Sequence, residues 1–123
     1  MGYNIKTVRD VLVVNFSSSR DTSQNSDEII EALKSYINNG TEKILFNLSA
    51  LEFVNSVIIG IFVFVIKKLK KVNSFSLIGI NSASKLALER TKLLKFFKVF
   101  ETMEEALNYL NSNETKNLAA GDL

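Results

Sequence analysis

Few side chains in this sequence could carry catalytic chemistry. The chain has no cysteine and no histidine. Disulfides and thiolate chemistry are therefore excluded, and the usual general base and the commonest metal ligand are missing. No nucleophile–base pair or metal-binding cluster can be named among the remaining residues. The sequence predicts no catalytic residue, no metal ion and no cofactor, and it favours a binding protein over an enzyme.

Size and charge indicate one globular domain with no electrostatic preference for polyanions. The 123 residues fit a single domain, and 46% hydrophobic with 23% charged residues is an ordinary globular composition. The net charge of +2, from 15 basic and 13 acidic residues, gives no strong reason to expect nucleic acid or an anionic membrane as partner. The lysines at positions 67, 68, 70 and 71 are interpreted as a solvated helix end rather than a nucleic-acid or lipid site.

No segment has the pattern of a secretion signal or a membrane span. The first six residues, Met1 to Lys6, lack the basic-then-apolar order of a signal peptide. The longest apolar run, Val57 to Ile66, is shorter than the roughly 20 residues needed to cross a bilayer. We therefore expect a cytoplasmic protein without a membrane partner.

Strands and helices alternate along the chain. A turn at Arg9-Asp10 is expected to join the first two strands, a polar loop to cover Ser17 to Ser26, and Ser26 to cap the first helix. A capping box at Thr102 and Glu105 is expected to open the last helix. The predicted strands are 3–8, 11–16, 43–48 and 75–80, with a brief extended segment at 96–100, and the predicted helices are 26–37, 82–91 and 102–110.

One segment is ambiguous from local signals alone. Val57 to Ile66 is rich in β-branched and aromatic residues, which favours a strand. However, it continues into a lysine-rich run, and the combined length favours a helix.

The alternation of elements predicts an α/β fold, with a mixed, mostly parallel sheet of four to five strands covered by about four α-helices. Residues 1–110 are expected to form the domain. Residues 111–123 are expected to be a polar tail that is frayed or disordered.

Several motifs together resemble the STAS domain of anti-sigma factor antagonists. A buried strand ends in Phe46-Asn47-Leu48-Ser49, and an apolar helix containing Gly60 is entered through Leu51-Glu52-Phe53-Val54-Asn55-Ser56. Later segments that fit the family are 77–82, 93–100 and 104–107. The resemblance implies a STAS-like fold over nearly the whole folded part, with a helix from Ser56 to Lys70.

The resemblance also implies a function. Ser56 matches the family's regulatory serine, which a partner kinase, itself the anti-sigma factor, phosphorylates. The unphosphorylated domain binds the anti-sigma factor and so frees the sigma factor, and phosphorylation breaks the complex. Asp21 matches the family's acidic residue after the second strand. The chain departs from the family pattern at Asn55, which replaces an acidic residue, and at Val57 and Ile58, which replace a small residue and a glycine.

Two residues at this helix start keep alternative interpretations. Ser56 is either a phosphoacceptor or only an N-cap, since serine commonly caps helices. Asn55 either replaces the family carboxylate as a hydrogen-bond acceptor or is a turn residue that satisfies local backbone groups.

The helix after Ser56 is apolar on more than one side, which predicts an interface. If Ile59, Phe62, Val63, Ile66 and Leu69 face the sheet, a second stripe of Ile58, Ile61 and Val65 faces outward, unless the loop before Ser26 or the C-terminal segment covers it. This stripe is expected to bind a partner or to form a homodimer. The predicted partner-binding residues are Asp21, Asn55, Ser56, Val57, Ile58, Ile61 and Val65.

The leading hypothesis is therefore a regulator that binds an anti-sigma factor or a serine kinase of that type. The alternative is a non-switching STAS scaffold or a subunit of a larger assembly, stressosome-like or lipid-transport-like. The scaffold would self-assemble without a kinase, whereas the antagonist would form a one-to-one complex with an ATP-binding partner.

Overall fold

The chain opens with a tight β-hairpin, β1 (Tyr3–Val8) and β2 (Val11–Phe16). Its two turn residues, Arg9 and Asp10, both have positive φ angles, 49° and 68°, as a two-residue turn between twisted strands requires. The predicted turn is confirmed. The computed structural model describes residues 3–69 and 74–122, with side chains up to residue 112.

After the hairpin, helices and strands alternate as predicted, except that two consecutive helices precede the third strand. Within the described residues, the elements that follow are α1 (Ser19–Gln24), α2 (Ser26–Asn38), β3 (Ile44–Asn47), α3 (Ser56–Leu69), β4 (Phe75–Ile78), α4 (Ser82–Arg90), one 3-10 turn (Leu94–Phe96), β5 (Lys98–Phe100) and α5 (Met103–Asp122).

The strands form one sheet in the order β1-β2-β3-β4-β5. Only the β1–β2 pair is antiparallel, and the register aligns Val14 with Phe46, Leu77 and Val99 across the parallel strands. The mixed, mostly parallel α/β fold predicted from the sequence is therefore confirmed. The carboxyl ends of parallel strands lie at the same end of a sheet. The loops that follow β2, β3 and β4 therefore come together at that end.

Helices cover both faces of the sheet. The larger core lies under α2, α3 and α4 and contains an aromatic cluster in which the Phe62 ring meets Phe46 at 5.0 Å and Phe97 at 5.4 Å between centroids. The smaller core lies under α5, where Leu107 and Leu110 pack against the opposite face. The central strands β2, β3 and β4 are thus buried on two sides, which explains their continuous apolar runs.

Helix α3 is a helix despite its β-branched composition, because its buried residues recur at helical spacing. Ile58, Ile61, Phe62 and Val65 are all 0% exposed. Packing against the sheet thus outweighs an intrinsic propensity that spans only about 1 kcal/mol per residue.

The outward stripe predicted at Ile58, Ile61 and Val65 is wrong, because these side chains are core. The exposed side of α3 instead carries Ser56 and Gly60 one turn apart, and Lys67 further along. Rotating the helix to expose the predicted stripe would move these residues toward the sheet, burying a lysine charge and leaving space at a glycine. The homodimer predicted through that stripe therefore loses its structural basis.

Local boundaries also differ from the sequence predictions. The segment expected to be a loop before Ser26 contains α1, and Asn25 rather than Ser26 precedes α2 at the N-cap position. Helix α4 begins at residue 82 as predicted, and the preceding Asn81 caps it by accepting a hydrogen bond from the N–H of Ser84. The backbone of α5 is helical to Asp122, past the predicted end at Leu110. The division of the chain into a domain of 1–110 and a tail of 111–123 stays a prediction.

Candidate partner-binding site

Ser56 is the first residue of α3 and its side chain is exposed. The helix is capped by its neighbour, since Asn55 Oδ1 accepts a hydrogen bond from the N–H of Ile58 at 2.9 Å and the Asn55 carbonyl accepts one from Ile59. The interpretation of Ser56 as an N-cap is therefore wrong. Because Asn55 satisfies the helix end, the Ser56 hydroxyl is left at the surface of the helix N-terminus.

Asn55 also connects α3 to α1. Its side-chain amide donates to Ser23 Oγ at 2.7 Å, while its oxygen caps α3. An asparagine can use both ends of its side chain in this way, whereas an ionised aspartate accepts hydrogen bonds only. The residue thus serves as a helix cap and as a link between two helices. Its cap hydrogen bond satisfies a local backbone group, as the second interpretation of Asn55 predicted, and a functional replacement of the family carboxylate stays a prediction.

A second link between α1 and the loop before α3 is formed by Ser19, which is 1% exposed. Its hydroxyl donates to the carbonyl of Phe53 at 2.6 Å and accepts from the N–H groups of Glu52 and Phe53, both at 3.1 Å. One hydroxyl therefore satisfies three backbone groups of the loop. This fixes the path of the chain three residues before Ser56.

Glu52 completes this contact from the loop side. Its carboxylate accepts a hydrogen bond from the backbone N–H of Ser19 at 2.8 Å, at the first residue of α1. That hydrogen bond holds the pKa of Glu52 below its usual value, because it stabilises the ionised form. The negative charge also lies at the start of a helix, where anions are favoured.

The same loop is held from the other side by the segment between β4 and α4. The Asn81 amide donates to the carbonyls of Leu51 and Glu52, both at 3.1 Å, while its oxygen caps α4. Gly79 approaches the loop so closely that an added Cβ would lie 2.6 Å from the backbone nitrogen of Ser49. Hydrogen bonds and close packing therefore position the loop before Ser56 on both sides.

Two large apolar side chains flank Ser56 at the surface. Phe53 is 49% exposed and Val57 is 44% exposed, and Gly60 lies one helical turn after Ser56 on the exposed side. An exposed phenylalanine three residues before Ser56 and an exposed glycine one turn after it are more typical of a contact surface than of a solvated helix end. We call the set of Phe53, Ser56, Val57 and Gly60 the Ser56 surface.

The structure brings together some of the predicted site residues and not others. Asn55, Ser56 and Val57 lie at the α3 start. Asp21 lies on α1, which packs against α3, and its side chain is exposed. The predicted contact residues inside α3 are buried, as described above. Sequence reasoning missed Phe53 and Gly60 as surface residues. Gly60 lies on the same side of α3 as Ser56 and Lys67, and this spacing could have indicated the exposed side of the helix.

The arrangement favours an anion at Ser56. In α3 no acidic residue occupies the first turn. A helix N-terminus stabilises a nearby negative charge by about 0.3–1 kcal/mol when that charge is exposed to solvent.

Among the described side chains, no three histidine, cysteine, aspartate or glutamate residues cluster as metal ligands. In the same ranges, no helix combines the length and apolarity that a bilayer span needs.

Comparison with known proteins decides the family. The family model of the STAS domain matches residues 3–106, most of the chain. The chain belongs to the STAS domain family. The Ser56 surface therefore lies in a STAS domain, on the helix that this resemblance indicated.

Solved structures share this fold at low sequence identity. An anti-sigma factor antagonist from Mycobacterium paratuberculosis is 23% identical, with a TM-score of 0.73 over 89% of this chain and 92% of that protein. A serine-to-glutamate variant of RsbS from Moorella thermoacetica is 23% identical, with a TM-score of 0.74 over 98% and 99%. The phosphorylated form of the Bacillus cell fate determinant SpoIIAA is 16% identical, with a TM-score of 0.62 over 86% and 96%. No curated protein sequence matches the chain.

Proposed function

We propose that this STAS domain is an anti-sigma factor antagonist, which binds an anti-sigma factor with serine kinase activity through the Ser56 surface and is released when Ser56 is phosphorylated. One observation carries the proposal. Ser56 is exposed at a capped helix start, between the exposed side chains of Phe53 and Val57. The likeness in fold to anti-sigma factor antagonists, one of them solved in a phosphorylated form, supports it.

The switch would act on the partner rather than on the fold. A phosphate adds about −1.5 to −2 charges at neutral pH, and a docked protein surface would have to desolvate that charge. In the free domain the same charge lies at the N-terminus of α3, where it is favourable. Phosphorylation is therefore expected to leave the domain folded and to weaken the complex.

Asn55 keeps this site less negative than an aspartate would. A neutral amide makes the cap hydrogen bond without placing a carboxylate next to the phosphoacceptor. A kinase that recognises an aspartate beside its serine would not find it here. We therefore expect the cognate kinase to contact the apolar residues Phe53 and Val57 instead.

The direct test uses the purified domain with each candidate ATP-binding anti-sigma kinase from the same organism. Incubation with ATP and intact-mass measurement should show one added phosphate, which is absent in Ser56→Ala. Ser56→Ala should keep binding the kinase, and Ser56→Asp should bind it at least about tenfold more weakly, since an unpaired buried charge costs a few kcal/mol. The urea midpoint of Ser56→Asp should equal or exceed that of the unaltered chain.

The chain offers a matched control at α4. Ser82 is also exposed and is also the first residue of its helix. It also follows an asparagine, Asn81, whose side-chain oxygen accepts a hydrogen bond from the N–H three residues later, as that of Asn55 does. Ser82→Asp therefore makes the same charge change in the same local geometry, on a residue that is not part of the Ser56 surface and belongs to α4. It should not affect kinase binding. Equal loss of binding in Ser82→Asp and Ser56→Asp would contradict the proposal.

A second variant tests the surface without charge. Gly60 is exposed and an added Cβ there meets no atom within 4 Å. Gly60→Leu should keep the fold but obstruct a partner docked on the Ser56 surface. Ala83→Leu, at an exposed position of α4, is the control and should not change binding. If no phosphate is added and Ser56→Asp, Ser56→Ala and Gly60→Leu bind alike, the chain is a non-switching STAS scaffold.

A further inference from the structure

A second exposed surface, at the β5 edge of the sheet, is basic and apolar. Residues 86–99 contain three large hydrophobic side chains that are 42–47% exposed, Leu86, Phe96 and Val99. The segment 85–98 also carries five basic residues and one acidic residue, Glu89. We call this set the β5-edge surface; its basic residues, all exposed, are Lys85, Arg90, Lys92, Lys95 and Lys98.

The basic residues of the β5-edge surface outnumber the two acidic residues beside them, Glu89 and Glu101. Within residues 3–69 and 74–112, none of its basic side chains makes an ion pair, and the Lys95 ammonium lies over the Phe96 ring, 5.5 Å from the centroid. An open groove of about 700 Å³ beside β5 is lined by Lys85 and Val99 and, at one end of the strand, by Glu101. Among the described strands, β5 is the last of the sheet and pairs with β4 alone, so its other edge is unpaired within these residues. A cationic, partly apolar edge of this kind fits a negatively charged partner.

The chain itself presents a surface of opposite charge. Residues 21–31 contain four acidic residues and no basic one. In α2, Asp27 and Glu31 lie one turn apart on the exposed side, with Glu28 beside them, also exposed. We call Asp27, Glu28 and Glu31 the acidic half of α2.

The two surfaces lie apart on the molecule. Helix α2 belongs to the connection between β2 and β3 and packs against α3, whereas β5 is at the far edge of the sheet. One copy therefore cannot pair its own two surfaces, but two copies can. Such a contact is heterologous, since each side uses a different patch, and it leaves one free surface of each kind at the ends.

We propose that the β5-edge surface of one copy binds the acidic half of α2 of a second copy, giving head-to-tail association that depends on ionic strength. The contact does not use the Ser56 surface and does not rest on the proposed function. Each copy adds in the same orientation, so the oligomers grow with protein concentration. Because its attraction acts between exposed charges, salt weakens it.

Sedimentation velocity of the full chain tests this. At about 0.01 M ionic strength, where the Debye length is about 30 Å, the weight-average sedimentation coefficient should rise with protein concentration. At about 1 M, where the Debye length is about 3 Å, the association constant should fall at least tenfold and the monomer should dominate. A chain that stays monomeric at low ionic strength and high concentration would refute the proposal.

Charge reversal locates the contact. Lys95→Glu with Lys98→Glu reverses the β5-edge surface, and Asp27→Lys with Glu31→Lys reverses the acidic half of α2. Each double variant alone should be monomeric. An equimolar mixture of the two should associate again, because each supplies the intact surface that the other lacks. Circular dichroism and urea midpoints confirm that each variant is folded.

A matched control separates this contact from a general effect of net charge. Lys67→Glu with Lys68→Glu makes the same charge change on exposed residues of α3, outside both surfaces. This variant should associate like the unaltered chain. Three results would overturn the proposal: equal loss of association in the control, no recovery in the mixture, or release of bound nucleic acid as the only effect of reversing the β5 edge.

Discussion

Removing one hydroxyl, in Ser19→Ala, tests whether a buried serine holds the loop before Ser56. The Ser19 hydroxyl contacts one carbonyl and two N–H groups of residues 52 and 53 at 2.6–3.1 Å. Alanine removes all three hydrogen bonds and leaves the backbone otherwise unchanged. We expect the domain to remain folded but less stable, with a more mobile loop.

The magnitude follows from what each loop group can do afterwards. A buried donor or acceptor left without a partner costs about 1–3 kcal/mol. Ser19 is buried, but Glu52 and Phe53 are exposed, so water can reach part of the freed backbone. The total should therefore be about 1–3 kcal/mol rather than three times that amount. For a domain of this size each kcal/mol lowers Tm by roughly 4 °C.

Urea denaturation of the purified domain measures the change in the free energy of unfolding. Ser17→Ala is a matched control, since the Ser17 hydroxyl is buried without a hydrogen-bond partner among the described groups. Its removal breaks no hydrogen bond, so the free energy of unfolding should stay the same or rise. Ser19→Ala should also weaken partner binding more than Ser17→Ala does, because of the two hydroxyls only that of Ser19 is hydrogen-bonded to the loop before Ser56.

Equal midpoints for the two serine variants would refute this reasoning. That result would mean that the loop keeps its path without the Ser19 hydroxyl. The links through Asn55 and Asn81 would then be sufficient to position Ser56.

Three further predictions concern backbone strain, pH and burial. Gly79→Ala should destabilise the domain more than Gly40→Ala, by at least about 1 kcal/mol in urea denaturation, because both glycines have positive φ but only at Gly79 would a Cβ collide with the loop backbone. Since the folded-state pKa of Glu52 is lowered, its stabilising effect is present above its unfolded pKa of about 4.3 and is lost as the pH falls through the folded value. In Glu52→Gln, the urea midpoint should therefore decrease less than in the unaltered chain as the pH is lowered below about 4.3. An unchanged pH dependence of the midpoint would argue against the contact between Glu52 and Ser19. Ile61→Asp should unfold the domain, because it places a carboxylate at a position that is 0% exposed, whereas Val57→Asp should leave the circular dichroism spectrum intact.

The sequence determined those features that depend on neighbouring residues. The Thr102 hydroxyl accepts from the Glu105 N–H at 3.2 Å, and the Glu105 carboxylate accepts from the Thr102 N–H at 3.2 Å, as the capping box predicted. The turn at Arg9 and Asp10 and the apolar strand runs were predicted for the same reason. Helix α1 was missed, although its Ser18 cap, which accepts from Asp21, was present in the sequence as a local signal.

The rotation of α3 needed the tertiary structure. Apolar residues occupy most positions of this helix, so periodicity alone allowed two orientations against the sheet. Only the fit of Ile58, Ile61 and Val65 into the core decided between them. The polar line of Ser56, Gly60 and Lys67 indicated the same orientation, but it consists of few residues on an otherwise apolar helix.

The Ser56 site shows the same division. The resemblance in sequence placed Ser56 at a helix start, and the structure confirms that position. What holds it there comes from residues 32–34 positions away, Ser23 bonded to Asn55 and Ser19 bonded to Glu52 and Phe53. Such pairs form only because β2 and β3 are parallel neighbours, so that the segments following them meet at the same end of the sheet. Hydrogen bonds between distant segments leave no periodic pattern in the sequence, and for that reason only the folded chain reveals them.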